Sequence, residues 1–245
     1  MIAFEPRGDL AVVRLDRPEK KNALTPKMLR GLASHVETTL SAKAIVLSGV
    51  GDVFCAGFDL GLARDDDGAL GSLLEALAAA TRALREAPCP VVVSAHGAAI
   101  AGGGALLSAA DFAVTTPGAK IGYPAVALGI SPAVSGPHLA ATAGHGPARA
   151  RLLDPGLIDG RGALRIGMAC ELAPDAAECE AKALALAEML AAKPRHALGY
   201  TKRWLNELDG STHAPSLRDA LDASVACVGT SEQRDRLAAL WARGG

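Results

Sequence analysis

The chain has 245 residues, half of them apolar and 21% charged, with a formal net charge of −1. That length can bury a sizeable core in one or two domains, and the composition is that of a globular protein rather than a disordered or fibrous one. A near-neutral balance argues against a broad nucleic-acid surface, which needs clustered Lys and Arg, but leaves room for a local basic patch under one phosphorylated ligand. Cys55, Cys89, Cys170, Cys179 and Cys227 are widely spread and odd in number. They read as reduced thiols of a cytoplasmic protein, with no ligand spacing for a metal. The first residues, Met1-Ile2-Ala3-Phe4-Glu5-Pro6, lack the basic and apolar regions of a signal peptide.

Leu10 to Leu15 reads as a strand. Thr25-Pro26 reads as an N-cap with proline at the first helical position, opening a helix to about Leu40. Ala44 to Leu47 is a second, buried strand, and Asp65-Asp66-Asp67-Gly68 a charged, mobile loop. Leu70, Leu73, Leu74, Leu77 and Leu84 then recur at helical spacing, with Glu75, Arg82 and Arg85 off the stripe. Val91 to Val93 is a third strand and Phe112 to Thr115 a fourth. The stretch from Pro88 to Ala110 has no charged residue and is long enough to span a bilayer. Pro90, His96, Gly97 and Gly102-Gly103-Gly104 split it, however, so it reads as strand, turn and helix rather than a membrane span. Strands alternating with helices predict an α/β fold with crossover connections. From about Asp175 onward only helices are expected, with Leu217, Leu221, Val225 and Val228 as one apolar stripe. The division follows: a core over 1–195 and a helical segment over 196–245, with no internal repeat.

Two segments carry candidate chemistry. In Val53-Phe54-Cys55-Ala56-Gly57-Phe58-Asp59-Leu60, Ala56 and Gly57 let the backbone approach a ligand closely. A plain strand-to-helix turn capped by Asp59 accounts for this segment equally simply. In Ser94-Ala95-His96-Gly97-Ala98-Ala99-Ile100-Ala101-Gly102-Gly103-Gly104-Ala105, three glycines open a helix. The first N–H groups of a helix have no internal partner and sit at its positive end, available to a developing anion. No Lys-Ser/Thr follows, so this is not a P-loop, and the spacing is not that of a dinucleotide site.

Taken together and in this order, the segments resemble the crotonase superfamily of enoyl-CoA hydratases and isomerases. The resemblance begins at Leu15-Asp16-Arg17-Pro18-Glu19-Lys20-Lys21-Asn22-Ala23-Leu24 and runs through Leu47 to Leu60 and Gly102-Gly103-Gly104. It continues in Ile121-Gly122-Tyr123-Pro124 and Leu128-Gly129-Ile130-Ser131-Pro132, and closes at Lys202 before Leu205-Asn206. It implies a ββα spiral core, an acyl-CoA thioester as partner, and no separate cofactor, coenzyme A being part of the substrate. It implies that the N–H groups of Phe58 and Gly103 polarise the thioester carbonyl, each such donor being worth on the order of 10²–10³ in rate. It places Ala23, Ala56 and the Lys20-Lys21 region near the adenine and ribose-phosphate end, with Arg17 and Lys202 as further phosphate contacts. It also implies a homotrimer or hexamer assembled partly through the C-terminal helices.

The chain departs from that pattern where water chemistry is done. Leu106 and Ala125 stand where the resemblance predicts the two hydratase glutamates. Each such group is worth roughly 10²–10⁴, so a poor hydratase is expected. The position matching a dehalogenase aspartate is Ala133. Tyr123 and His138 remain as candidate proton carriers, beside Asp59 as the nearest acid. Ser131, His96 and Cys55 read as structural. The expected catalytic set is thus Phe58, Gly103, Tyr123 and His138. Lys21, Ala23, Ala56, Asp59, Leu106, Ala125 and Lys202 form the expected substrate-binding set. The expected function is enolate or oxyanion stabilisation on a bound acyl-CoA, the alternative being a non-catalytic acyl-CoA carrier or sensor.

Overall fold

The computed structural model describes residues 1–39, 41–64, 66 and 68–243. A six-stranded sheet is built from β1 (Ile2–Arg7), β2 (Leu10–Leu15), β3 (Ala44–Gly49), β4 (Val91–Ala95), β6 (Phe112–Thr115) and β8 (Glu171–Leu172), in that spatial order. The β1–β2 hairpin is antiparallel and every later pairing is parallel. Parallel strands are covered on both faces, which is why β3 is buried at every position. Strand alternation sorts the side chains. Leu10, Val12, Val46, Val92 and Val114 meet α7 (Ala176–Ala191) on one face. Val13, Leu15, Ile45, Leu47, Val91 and Val93 face the main core, with α1 (Pro26–Thr38), α2 (Ala69–Glu86) and α3 (Gly102–Ala109).

Behind this sheet lies a second layer of short ribs. β5 (Ala98–Ile100) pairs in parallel with β7 (Lys120–Gly122). Parallel bridges join Leu24 to Phe58 and Cys55 to Ala99, and an antiparallel bridge joins Ile121 to Ile158. Each turn of the chain therefore runs strand, rib, helix: β2, Leu24, α1; then β3, Cys55–Phe58, α2; then β4, β5, α3. This is the expected spiral. It repeats in topology without repeating in sequence, because each rib is too short to impose a pattern.

The local signals explain the element boundaries. The Thr25 hydroxyl accepts from Met28 N–H and caps α1, with Pro26 behind it. The expected end of that helix, Leu40, lies outside the described residues, as do Asp65 and Asp67 of the acidic loop. The uncharged stretch 88–110 resolves into β4, β5 and α3, and no helix among the described residues is long and apolar enough to cross a membrane. After α4 (Gly136–Ala143), α5 (His145–Leu153) and α6 (Gly160–Arg165) come α8 (Arg195–Leu208), α9 (Ala214–Val225) and α10 (Ser231–Arg243). Leu221 and Val225 of α9, with Val228, pack on the main core.

Candidate active site

The ribs bring the two chemical segments side by side. Ala56 N–H donates to the Lys21 carbonyl (3.0 Å), Leu24 N–H to Gly57 (2.7 Å) and Asp59 N–H to Leu24 (2.9 Å). On the other side Cys55 N–H donates to Ala98 (2.9 Å) and Ile100 N–H to Cys55 (3.0 Å). The buried Asn22 locks the first loop: Oδ1 accepts from Arg17 N–H, while Nδ2 donates to the Val50 and Val53 carbonyls. Gly57 has φ +104° and packs against the Ile100 carbonyl, a conformation and an approach that disfavour any side chain. At Gly103 an added Cβ would lie 2.8 Å from both Cβ and the carbonyl oxygen of Cys55, so only glycine lets α3 start this close to the rib. Ala101, at φ +48°, makes the strained corner into α3. The N–H groups of Phe58 and Gly103 have no hydrogen-bond partner among the described residues. Two fixed backbone donors, one on each segment, are thus left for a ligand.

Next to them is a cavity of about 120 Å³. Ala56, Gly57 and Phe58 form one part of its wall, Ile100, Ala101 and Gly102 another, and Tyr123, Pro124 and Ala125 a third. Leu74 and Leu77 of α2 and the segment 130–135 complete it. Among the described residues, no carboxylate or imidazole lines it. Of the expected residues, Ala56, Phe58, Tyr123 and Ala125 meet here, while Gly103 adjoins the wall through its neighbour Gly102 and does not itself line it. Asp59 is engaged elsewhere: Oδ2 accepts from Arg17 Nη1 at 2.7 Å and Oδ1 from Gly61 N–H at 3.2 Å. Lys21 is exposed, and the Ala23 carbonyl accepts from Arg17. Neither of the two residues lines the cavity.

Four expectations need correction. Tyr123 offers its ring to the cavity but not its hydroxyl, which donates to the Gly104 carbonyl (2.8 Å) and lies 3.3 Å from Ser108 Oγ. Burial raises its pKa well above the ordinary phenol value, so it is no proton carrier. His138 is outside the cavity wall and 1% exposed. Burial, aided by the charge of Arg85, holds its pKa down at about 3 and keeps the ring neutral. Lys202 is buried and saturated: Nζ donates to the Leu84 and Cys89 carbonyls and to Asp111 Oδ2 (2.7 Å). It fastens α8 to the core and is not free to meet a phosphate. Leu106 is fully buried in the core and does not line the cavity. His96 and Cys55 are structural, as read. His96 Nε2 donates to the Gly51 carbonyl at 2.8 Å, that nitrogen carrying the proton because its partner is an acceptor. Burial pushes the Cys55 thiol up to about 12.

A sequence profile of the enoyl-CoA hydratase/isomerase family matches residues 5–224. The chain belongs to that family. A putative enoyl-CoA hydratase of Thermus thermophilus is 33% identical over 211 residues, covering 83% of each chain. A probable enoyl-CoA hydratase of Mycobacterium leprae is 33% identical over 218 residues, covering 86% of this chain and 84% of its own. A crystal structure of an enoyl-CoA hydratase/isomerase from Mycobacterium paratuberculosis superimposes with a TM-score of 0.86 at 26% identity, covering 97% of both chains.

In this enoyl-CoA hydratase/isomerase family member, four residues of the cavity wall, Leu74, Leu77, Val134 and Ser135, lie outside the segments that the sequence marks as chemical. Leu74 and Leu77 read only as a helix stripe, and Val134 and Ser135 carried no signal. Ser135, with Ser131, is a polar member of a fold-back that no periodicity marks.

Proposed function

We propose that this chain binds a short acyl-CoA thioester with its carbonyl oxygen between the N–H groups of Phe58 and Gly103. There the two donors stabilise the negative charge that develops on that oxygen in an enolate or tetrahedral species. The observation that carries this reading is the pair of donors without a partner among the described residues, one on the Cys55–Phe58 rib and one in the first turn of α3, beside an apolar cavity. The cavity volume favours a short acyl group, since a void of about 150 Å³ is enough for a benzene-sized molecule. Exposed Lys20 and Lys21 flank the first rib and suit the phosphates of coenzyme A.

Efficient hydration is not part of the proposal. By the family resemblance Leu106 and Ala125 stand where two carboxyl groups are expected; Leu106 is buried in the core, Ala125 lines the cavity, and no acid or imidazole among the described residues joins it in the wall. The same observation favours one second reading, a carrier or sensor that grips the thioester without turning it over. Hydration of crotonyl-CoA and calorimetric binding of butyryl-CoA test both. Micromolar binding with hydration at least about 10⁴-fold below a two-carboxylate hydratase is expected. Absence of binding, or hydration at an ordinary rate, overturns the proposal. A panel of malonyl-type and other acyl thioesters then separates an enzyme from a carrier.

A further inference from the structure

The cavity wall contains one hydroxyl with nothing to do. Ser135 is 3% exposed, lines the cavity, and its Oγ makes no hydrogen bond to any described residue. Its position explains why. Ser135 precedes α4, where a serine ordinarily caps the helix by accepting from an N–H in the first turn. Here the Ser135 backbone is helical (φ −85°, ψ −13°) and not extended as a cap requires, Pro137 offers no N–H, and the side chain makes no capping bond. The backbone around it is held by other groups: Ser135 N–H donates to the Pro132 carbonyl, and Val134 N–H to Ser224 Oγ of α9 at 2.9 Å. Ser131, the other serine in the wall, differs in that its Oγ already accepts from Ala133 N–H. An unpaired hydroxyl that opens on an apolar cavity is available to whatever fills that cavity, and covering it without a partner would be unfavourable.

We propose that Ser135 is a specificity-determining residue that hydrogen-bonds a second oxygen of the acyl group, so that the site selects short acyl thioesters bearing a hydroxyl over plain alkyl ones. This rests on the acyl-CoA reading above. The hydroxyl of Ser135 can donate and accept, which suits a substrate hydroxyl in either sense. In a cavity of about 120 Å³, an oxygen on a four-carbon chain has few polar partners among the side chains of the wall.

Calorimetry with butyryl-CoA, 3-hydroxybutyryl-CoA and 4-hydroxybutyryl-CoA tests this on the wild-type chain and on Ser135→Ala and Ser135→Gly. In the wild type, at least one hydroxyacyl thioester should bind about tenfold tighter than butyryl-CoA. Both variants should bring that ratio to about one. Binding of all three thioesters without preference, or a preference that survives both substitutions, overturns the assignment of Ser135 alone. Failure of every thioester to bind overturns the acyl-CoA reading and this inference with it.

Discussion

At the scale of single residues, burial and not proximity in sequence decides which groups are chemically available. Tyr123 and His138 were the titratable candidates nearest the motifs, and each is removed from chemistry by the solvent it lacks. Nothing in Ile121-Gly122-Tyr123-Pro124 says that the phenol turns to the Gly104 carbonyl and not to the cavity; that follows from α3 passing behind the ring. His138 has a measurable consequence. Its two ring nitrogens are buried without partners among the described residues, and its pKa is about 3 in the folded chain against 6.5 unperturbed. Because the folded state resists a proton that the unfolded state takes, His138 leaves stability unaffected above about pH 6.5. Stability then falls by about 1.4 kcal/mol per pH unit as pH drops from there towards 3. Urea unfolding of His138→Leu at pH 7.5 and pH 5.0 should show a smaller acid loss than the wild type by about 2 kcal/mol. An equal loss in both proteins would show that the ring is protonated within the fold. Gly103 belongs to the same scale. Gly103→Ala should cost about 1–3 kcal/mol through overpacking on Cys55 and weaken thioester binding, read by urea midpoint and calorimetry.

At the scale of elements, a segment was legible where one local signal sufficed to define it. Thr25-Pro26 announces α1 because capping is a contact within four residues, and Phe112–Thr115 is a strand from end to end because β-branched and apolar residues are bounded by turns. β1 was missed because it is an edge strand whose outer half is exposed and which carries Pro6, a residue that an edge tolerates. β5 and β7 are three residues each, too short for any period to show, yet they position Cys55 and Gly103. The site's two polar backbone segments were legible from their glycines, while the opposite wall depends on how α2 and the 130–135 fold-back meet. Lys202 illustrates the limit: a lysine on a polar helix reads as solvated until its partners Leu84, Cys89 and Asp111 converge from three separate places. Lys202→Met leaves Asp111, which also accepts from Val91 N–H, without its cation. The expected loss is about 3 kcal/mol of stability, with affinity for butyryl-CoA unchanged at temperatures where the variant is folded. A weaker affinity with unchanged stability would instead restore the phosphate role.

At the scale of the whole molecule, the C-terminal helices face two ways. α9 holds the lining residue Val134 through Ser224, and Gln233 of α10 packs on Gly129, so these two helices brace segments that adjoin the cavity of their own chain. α8 does something else. Tyr200, Trp204 and Leu208 recur at helical spacing along it and are 64%, 62% and 69% exposed, with Leu205 beside them. A groove of about 620 Å³ between this helix and residues 86–88 runs along the same region. A contiguous apolar row of this kind on a chain otherwise well packed is the mark of a surface that is covered in use. We infer that α8 contributes to self-association, as the homotrimer or hexamer expected from the family resemblance would require. The stripe lies away from the cavity wall, so assembly and ligand binding are separable. Light scattering coupled to size exclusion should find a trimer or hexamer for the wild type. Trp204→Glu combined with Leu208→Glu should shift it to monomer while butyryl-CoA still binds, because neither residue lines the cavity. A monomeric wild-type chain would mean that the row on α8 is covered by something other than a second copy.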